Sequence, residues 1–270
     1  MITLKYPIFF IHGTGFRDRK RFGYWGRIPA VLEEQGIRIG YGNQDSWGTI
    51  EDNAKTIKRN LIKFMEETGC EKVNIIAHSK GAIEARYLAA ALDCPSYIAS
   101  ITSICGPHHG SKTMDKLQKM PSFLFLFAAL FVNLWFRILG DEKPDFKNAC
   151  KQFTTDYMCA FNQKYPDVDS IYYQSYATMM KHPFSDIFMT LPNLIVRLVE
   201  GENDGLVTVA SARWTNFSGV WLGATARGIS HADAVDFRRR RFTCKASDAG
   251  ITDICDCYVD IVQKLYMAGF

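Results

Sequence analysis

Nine residues, Val73 to Gly81 (Val-Asn-Ile-Ile-Ala-His-Ser-Lys-Gly), constrain this chain more than any other stretch. Val73 to Ala77 is a short apolar, β-branched run, the composition of a strand buried on both faces. Ala82 to Leu92 is rich in Ala and Leu and stops at Asp93-Cys94-Pro95, which predicts a helix and its end. Ser79 sits between them, with the small residues Ala77 and Gly81 two positions away on each side. A strand that turns at once into a helix leaves no room for side chains at those flanks. Such a turn lifts the serine hydroxyl clear of the sheet, where a base can reach it. The pattern is G-x-S-x-G with Ala for the first Gly.

The surrounding chain predicts the sheet that this turn needs. Ile8 to Ile11 is a second buried strand, ending in the turn His12-Gly13-Thr14-Gly15. His12 reads as an anchor for that turn. Ile28 to Gln35 predicts a helix with Pro29 in its first turn, and Ile37 to Tyr41 a strand. Thr49 to Thr68 predicts a long amphipathic helix that buries Ile50, Ala54, Ile57, Leu61 and Phe64 and ends at Gly69. Ile98 to Cys105 is the next strand, and its exit loop carries His108 and His109, expected to pack against the serine turn. Strands at Ile171 to Ala177 and at Leu194 to Glu200, and a final helix from Ile251 to Met267, complete the reading. This alternation implies an α/β fold with a mainly parallel sheet and a site at the strands' C-terminal ends. Length and the absence of a linker imply a single domain over residues 1–270.

The rhythm breaks between Ser111 and Tyr165, which marks an insertion over about 112–165. Phe123 to Leu139 is almost wholly apolar, interrupted by Asn133 and Arg137. It is at the short limit for a membrane span. A helical lid whose apolar face covers an acyl pocket and meets a lipid surface fits it better, with a plain buried helix as the alternative. Phe146 to Tyr165 reads as a second helix of the insertion.

A serine hydroxyl is a weak nucleophile at neutral pH and needs a base. Of six histidines, His231 alone lies in a late loop after both the serine turn and a turn-borne acid, Asp204 in Asn203-Asp204-Gly205. The chain order Ser79, Asp204, His231 is that of the α/β-hydrolases. On this reading His231 accepts the Ser79 proton and Asp204 orients the imidazole. The oxyanion donors are the backbone N–H groups of Thr14 and Lys80.

A formal net charge of +4 is too small to argue for nucleic acid. Eight scattered cysteines form no compact disulfide or zinc framework, although a Cys244 pairing stays open. No leader pattern precedes the first strand, so a cytoplasmic location is expected, with a secreted mature form as the alternative. Arg238 to Arg241 reads as a solvated face, with contact to a phospholipid surface as the rarer role.

Several pieces together resemble the bacterial triacylglycerol lipases of the Pseudomonas, Burkholderia and Proteus type. They are Tyr6-Pro7 with the His12-Gly13 turn, Tyr24-Trp25-Gly26, Lys72-Val73-Asn74, Ala77 to Gly81, Ala85-Arg86-Tyr87, Ile101-Thr102-Ser103, Gly110-Ser111, Asn203 to Val207, and His231-x-Asp233. The resemblance spans most of the chain outside Lys112 to Asn148. It implies the α/β-hydrolase fold, with ester hydrolysis through an acyl-enzyme on Ser79 and a lid that opens at interfaces. No cofactor is implied for the chemistry. A structural calcium is implied, with Asp233 at the matching position and Asp186 roughly where a second carboxylate falls. Two departures stand out. Ala77 replaces the usual Gly, and Lys80 replaces a polar residue or His and is expected to bring a cation near the site that favours anionic substrates. Two rivals remain: a short-chain esterase with a fixed cap, and a non-catalytic lipid-binding protein that keeps the fold.

Overall fold

The structure, a computed structural model, describes residues 4–18, 23–242 and 250–270. Its strands form one six-stranded, all-parallel sheet in the order β2-β1-β3-β4-β5-β6. β1 (Ile8–Ile11), β3 (Val73–His78) and β4 (Ile98–Ile104) are buried from end to end, as central strands covered on both faces must be. β2 (Ile39–Tyr41) and β6 (Phe217–Trp221) are the edges, and β5 (Tyr172–Thr178) lies beside β4.

Helices α1 (Ile28–Glu34), α2 (Ile50–Thr68), α3 (Lys80–Ala91) and α10 (Ile254–Met267) supply the apolar faces that cover this sheet. One core layer joins α1 and α10 to Phe10, Ile76 and Tyr176, and the other joins α2 and α3 to Phe9, Ile11, Ile75 and Ile101. In α2 the expected stripe is buried through Ile50, Ala54, Ile57 and Leu61. Each of its larger members contributes roughly 1.5–3 kcal/mol by leaving water. Thr49 caps this helix by accepting from the Asp52 N–H, and Gly69 ends it in the left-handed conformation.

Three expectations need correction. Leu194 to Glu200 is not a strand but the second half of helix α8 (Thr190–Val199) and its C-cap, Glu200. Leu191, Leu194, Ile195 and Leu198 recur at helical spacing, a period hidden when the run is read from Leu194 onward. The sixth strand is instead β6, a short edge strand whose pairing with β5 shifts register between Phe217 and Gly219. Second, the predicted helix at Phe146 to Tyr165 is two helices, α6 (Phe146–Lys151) and α7 (Thr155–Lys164). Thr154 interrupts it, because its hydroxyl accepts from the Tyr157 N–H and starts a new helix.

The third correction concerns the apolar helix of the insertion. α4 (Lys112–Leu117) leads to α5 (Ser122–Ile138), and α9 (Val209–Ala212) follows α8 later in the chain. α5 does not cover the cavity at the site. It buries Ala129, packs Phe136 on Trp47 and Phe125 on Phe146, and turns Phe127, Leu130, Phe131 and Ile138 to solvent. No helix among the described residues is long and apolar enough to cross a membrane. The seven described cysteines are free thiols, and Cys244 lies outside the described residues.

Candidate active site

Ser79 stands between β3 and α3 at φ 55° and ψ −128°, in a strained turn. An L-residue held at positive φ costs roughly 1–3 kcal/mol, which the surrounding structure must over-determine. Here it is fixed by its N–H donating to the Ile104 carbonyl at 2.9 Å. A Cβ on Gly81 would lie 2.5 Å from the carbonyl oxygens of both Ile11 and His12. A Cβ on Gly13 would lie 2.7 Å from the Ser79 Cβ and from the Tyr24 hydroxyl. These two glycines allow the first turn and the serine turn to touch, whereas Ala77 is fully buried in the strand and its methyl group fits.

The first turn is anchored as expected. The His12 ring nitrogens lie 2.7 Å from the Gly13 carbonyl oxygen and 3.0 Å from that of Gln44. Thr14 lines the cavity beside the site. Lys80 overturns one expectation: its side chain is only 1% exposed and pairs with Glu84 instead of facing a substrate. Glu84 also accepts from Asn53 Nδ2 at 2.7 Å and Gln44 Nε2 at 3.1 Å, and Gln44 Nε2 reaches the His12 carbonyl at 2.7 Å. The Lys80 ammonium therefore belongs to a buried network beneath the two turns and is not presented to a ligand.

Asp204 and His231 are brought together from elements 27 residues apart, with Asp204 Oδ2 2.7 Å from His231 Nδ1. The His231 N–H donates to the Asp204 carbonyl at 2.7 Å, so main chain and side chain are both paired. The other carboxylate oxygen accepts from the Leu206 and Val207 N–H groups at 3.0 and 2.9 Å, and the Thr178 hydroxyl approaches Oδ2 at 3.3 Å. Burial pushes the Asp204 pKa up, but the His231 charge and these hydrogen bonds outweigh it and hold the carboxyl below its usual range. Although α8 intervenes in sequence, the Met180 N–H bonds the Asn203 carbonyl and returns the acid-bearing turn to the end of β5.

The His231 ring lies against the ring of His78, the residue before Ser79, at 4.4 Å between centroids. His78 Nδ1 is 2.7 Å from the Tyr24 hydroxyl. Burial first, and then the nearby His231, push the His78 pKa well down, so this ring is neutral. A cavity of about 520 Å³ opens here, lined by His231, His78 and Thr14 and by the apolar side chains of Phe16, Phe188 and Phe237.

The expected calcium ligands face other partners. Asp233 receives Arg238, whose Nε donates to Oδ1 at 2.6 Å and whose Nη2 donates to Oδ2. Asp186 Oδ2 accepts from the Ser230 hydroxyl at 2.7 Å and Oδ1 from the Phe188 N–H at 3.0 Å. With both Asp233 oxygens on a guanidinium, this pair does not fit a calcium ion, which needs several free oxygens. The arginine run is likewise more than a solvated face, since Arg241 also pairs with Asp253 at 3.1 Å. His108 is buried with Nε2 2.7 Å from the Ser103 hydroxyl, and His109 meets the Arg213 carbonyl, so both serve the exit loop of β4. Thr178 and Arg238 were missed in sequence. Nothing in a Thr at a strand end or in a basic run points to these contacts.

Residues 38–178 match the family model described as the alpha/beta hydrolase fold. The chain belongs to that family. Among curated proteins it is 27% identical to a triacylglycerol lipase of Pseudomonas fragi, covering 99% of this chain and 98% of that one. It is 26% identical to triacylglycerol lipase 2 of Saccharomyces cerevisiae, covering 92% and 74%. The resemblance to bacterial triacylglycerol lipases drawn from the motifs is thus borne out across this α/β-hydrolase chain. Among solved structures, the Staphylococcus hyicus lipase superposes with a TM-score of 0.68 at 16% identity, covering 98% of this chain and 96% of that one. The mature Bacillus licheniformis lipase BlEst2 gives 0.64 at 20% identity, covering 86% and 87%. These two likenesses carry the fold.

Proposed function

We propose that this protein is a serine carboxylic-ester hydrolase acting on fatty-acyl esters, acylglycerols among them, through an acyl-enzyme on Ser79. The observation that carries the proposal is a strained serine turn whose preceding residue, His78, packs its ring 4.4 Å from that of the Asp204-bound His231, with both histidines lining an apolar cavity. His231 Nε2 takes the Ser79 proton as Oγ attacks the ester carbonyl, and returns it to the leaving alcohol. Water then enters by the same route, and His231 deprotonates it to release the fatty acid. Asp204, ionised and bonded to Nδ1, keeps the other ring nitrogen free to accept and stabilises the imidazolium. The backbone N–H groups of Thr14 and Lys80 receive the tetrahedral oxyanion. Each such donor is worth about 3 kcal/mol in the transition state.

The choice of fatty-acyl over small esters rests on two apolar surfaces at the cavity's edge. Phe188 and Met189 line the cavity just before α8, whose Leu191 and Leu198 face solvent. α5 presents a second exposed apolar face beside Trp47, which also lines the cavity. Exposed faces of this extent mark a partner or lipid surface. We read the 112–165 insertion as the part of a single domain that meets the lipid interface beside the cavity, with α8 as its companion. No metal enters the proposed chemistry.

The test is hydrolysis of a p-nitrophenyl ester series from short to long acyl chains, then emulsified triglyceride, with Ser79→Ala in parallel. Turnover that rises with chain length or emulsion and vanishes in the variant is expected. Turnover confined to short esters would overturn the lipid assignment and favour a small-pocket esterase. Absence of Ser79-dependent turnover on every ester would sink the enzyme reading.

A further inference from the structure

His231 is flanked on both sides by one polar chain. Ser230, immediately before it, donates its hydroxyl to Asp186 at 2.7 Å and accepts from the Asp233 N–H at 3.1 Å. Asp233, two residues after His231, is clamped by the Arg238 guanidinium through both carboxylate oxygens. The Asp233 side chain is 5% exposed and that of Arg238 24%, so water screens the pair little. Burial works against the arginine's charge, but Asp233 and Asp186 outweigh it and raise its pKa. The chain closes through the Phe188 N–H on Asp186, which joins the His231 loop to the wall of the cavity.

Two buried carboxylates so close to the general base need a positive charge, because uncompensated they would repel each other and distort the loop. We propose that Arg238 is a positioning residue that supplies this charge, an internal cation holding the His231 loop where a divalent metal is not needed. Arg238 touches neither substrate nor reacting atoms. It acts through Asp233 and Ser230 on the placement of the imidazole. A guanidinium suits this task better than a hydrated ion, since its planar fork matches one carboxylate and cannot be chelated away.

The inference rests on the hydrolase reading only for its kinetic readout, because melting is measured without substrate. The full chain, Arg238→Gln and Arg238→Lys would each be melted and assayed with millimolar calcium and with a chelator. The wild type is expected to be indifferent to both additions in melting temperature and rate. Arg238→Gln should melt lower and lose about tenfold or more in kcat with KM unchanged, the signature of a misplaced base. Arg238→Lys should recover much of that loss. If glutamine prevents folding, Arg238→Gln combined with Asp233→Asn, which removes the cation together with one carboxylate it offsets and keeps the backbone bond to Ser230, should fold again, and its failure to do so would overturn the proposal. Wild-type melting that rises with calcium and falls with chelator would overturn the proposal. So would a glutamine variant indistinguishable from wild type, or a lysine variant no better than glutamine. A wild type without ester turnover would refute the hydrolase reading and leave the melting comparison intact.

Discussion

Gly81→Ala sets two physical effects against each other. Gly81 lies in the first turn of α3, where helix propensity alone favours Ala over Gly by about 1 kcal/mol. The added methyl would meet two backbone carbonyl oxygens at 2.5 Å, where ordinary contact begins at 3.4 Å, so roughly 0.9 Å must be found. Neither oxygen is the end of a flexible side chain. Both belong to the junction of β1 with the His12-to-Gly15 turn, and the strand is hydrogen-bonded on both sides. Overpacking of this kind costs about 1–3 kcal/mol, and the rigid setting puts Gly81→Ala at the upper end, a net loss of about 2 kcal/mol after the propensity gain. The least resisted movement carries Thr14 away from Ser79, and a shift near 1 Å at a reacting geometry costs up to about 100-fold in rate. Urea unfolding and kcat on a medium-chain ester would be measured together. Ala77→Gly serves as the control and should cost about 0.5–1 kcal/mol, as for Gly in any strand. A Gly81→Ala protein as stable as wild type, with unchanged kcat, would refute the argument from close approach.

Two further outcomes follow from buried charge. Lys80→Met should destabilise by about 3 kcal/mol, because it leaves the buried Glu84 without its counter-charge. Lys80→Met with Glu84→Gln should recover part of this, since the glutamine oxygen keeps an acceptor for one of Asn53 and Gln44, and neither variant should change the preference between neutral and anionic esters. The same unfolding curves, run from pH 7 to 5, should show midpoints falling as pH falls. Burial, aided by His231, lowers the pKa of His78, and burial, aided by Arg86, lowers that of His108, both from an ordinary 6.5. Between 6.5 and those lowered values the unfolded chain holds more protons, so stability drops by about 1.4 kcal/mol per pH unit for each ring. Asp204, whose pKa is depressed, adds its own loss only below the ordinary carboxyl value of 3.8. Midpoints flat across pH 7 to 5 would contradict the burial of two neutral rings.

The parts legible in sequence were those governed by local rules. Buried parallel strands announce themselves as β-branched runs, and the serine turn by small residues at fixed spacing, so β1, β3, β4 and the Ser79 junction could be read directly. The acid and the histidine were legible through their order in the chain and their turn residues. Helix α8 was not, because a helix with one thin buried face and an apolar outer face resembles a strand in composition. The orientation of Lys80 was hidden for a different reason. A lysine after a nucleophile suggests an exposed cation, and its partner Glu84 one helical turn later signals an ordinary i, i+4 pair, not a pair sealed in the core. Arg238 was hidden by its neighbours, since four arginines in a row carry no sign of which one turns inward.

α8 has a property that bears on how such a chain can drift over generations. Its inner side is riveted to the acid-bearing turn, with Asn193 Nδ2 donating to Asn203 Oδ1 at 2.7 Å, Asn203 Nδ2 returning to the Asn193 carbonyl at 3.3 Å, and Met189 resting on Gly205. Its outer side, Leu191, Ile195 and Leu198, touches little of the protein. The outer side is therefore free to exchange one apolar residue for another and to retune which surfaces the molecule visits, while the inner side holds the geometry of the acid constant. One short helix separates the two inheritances, so that a change in where the protein works need not disturb how it works.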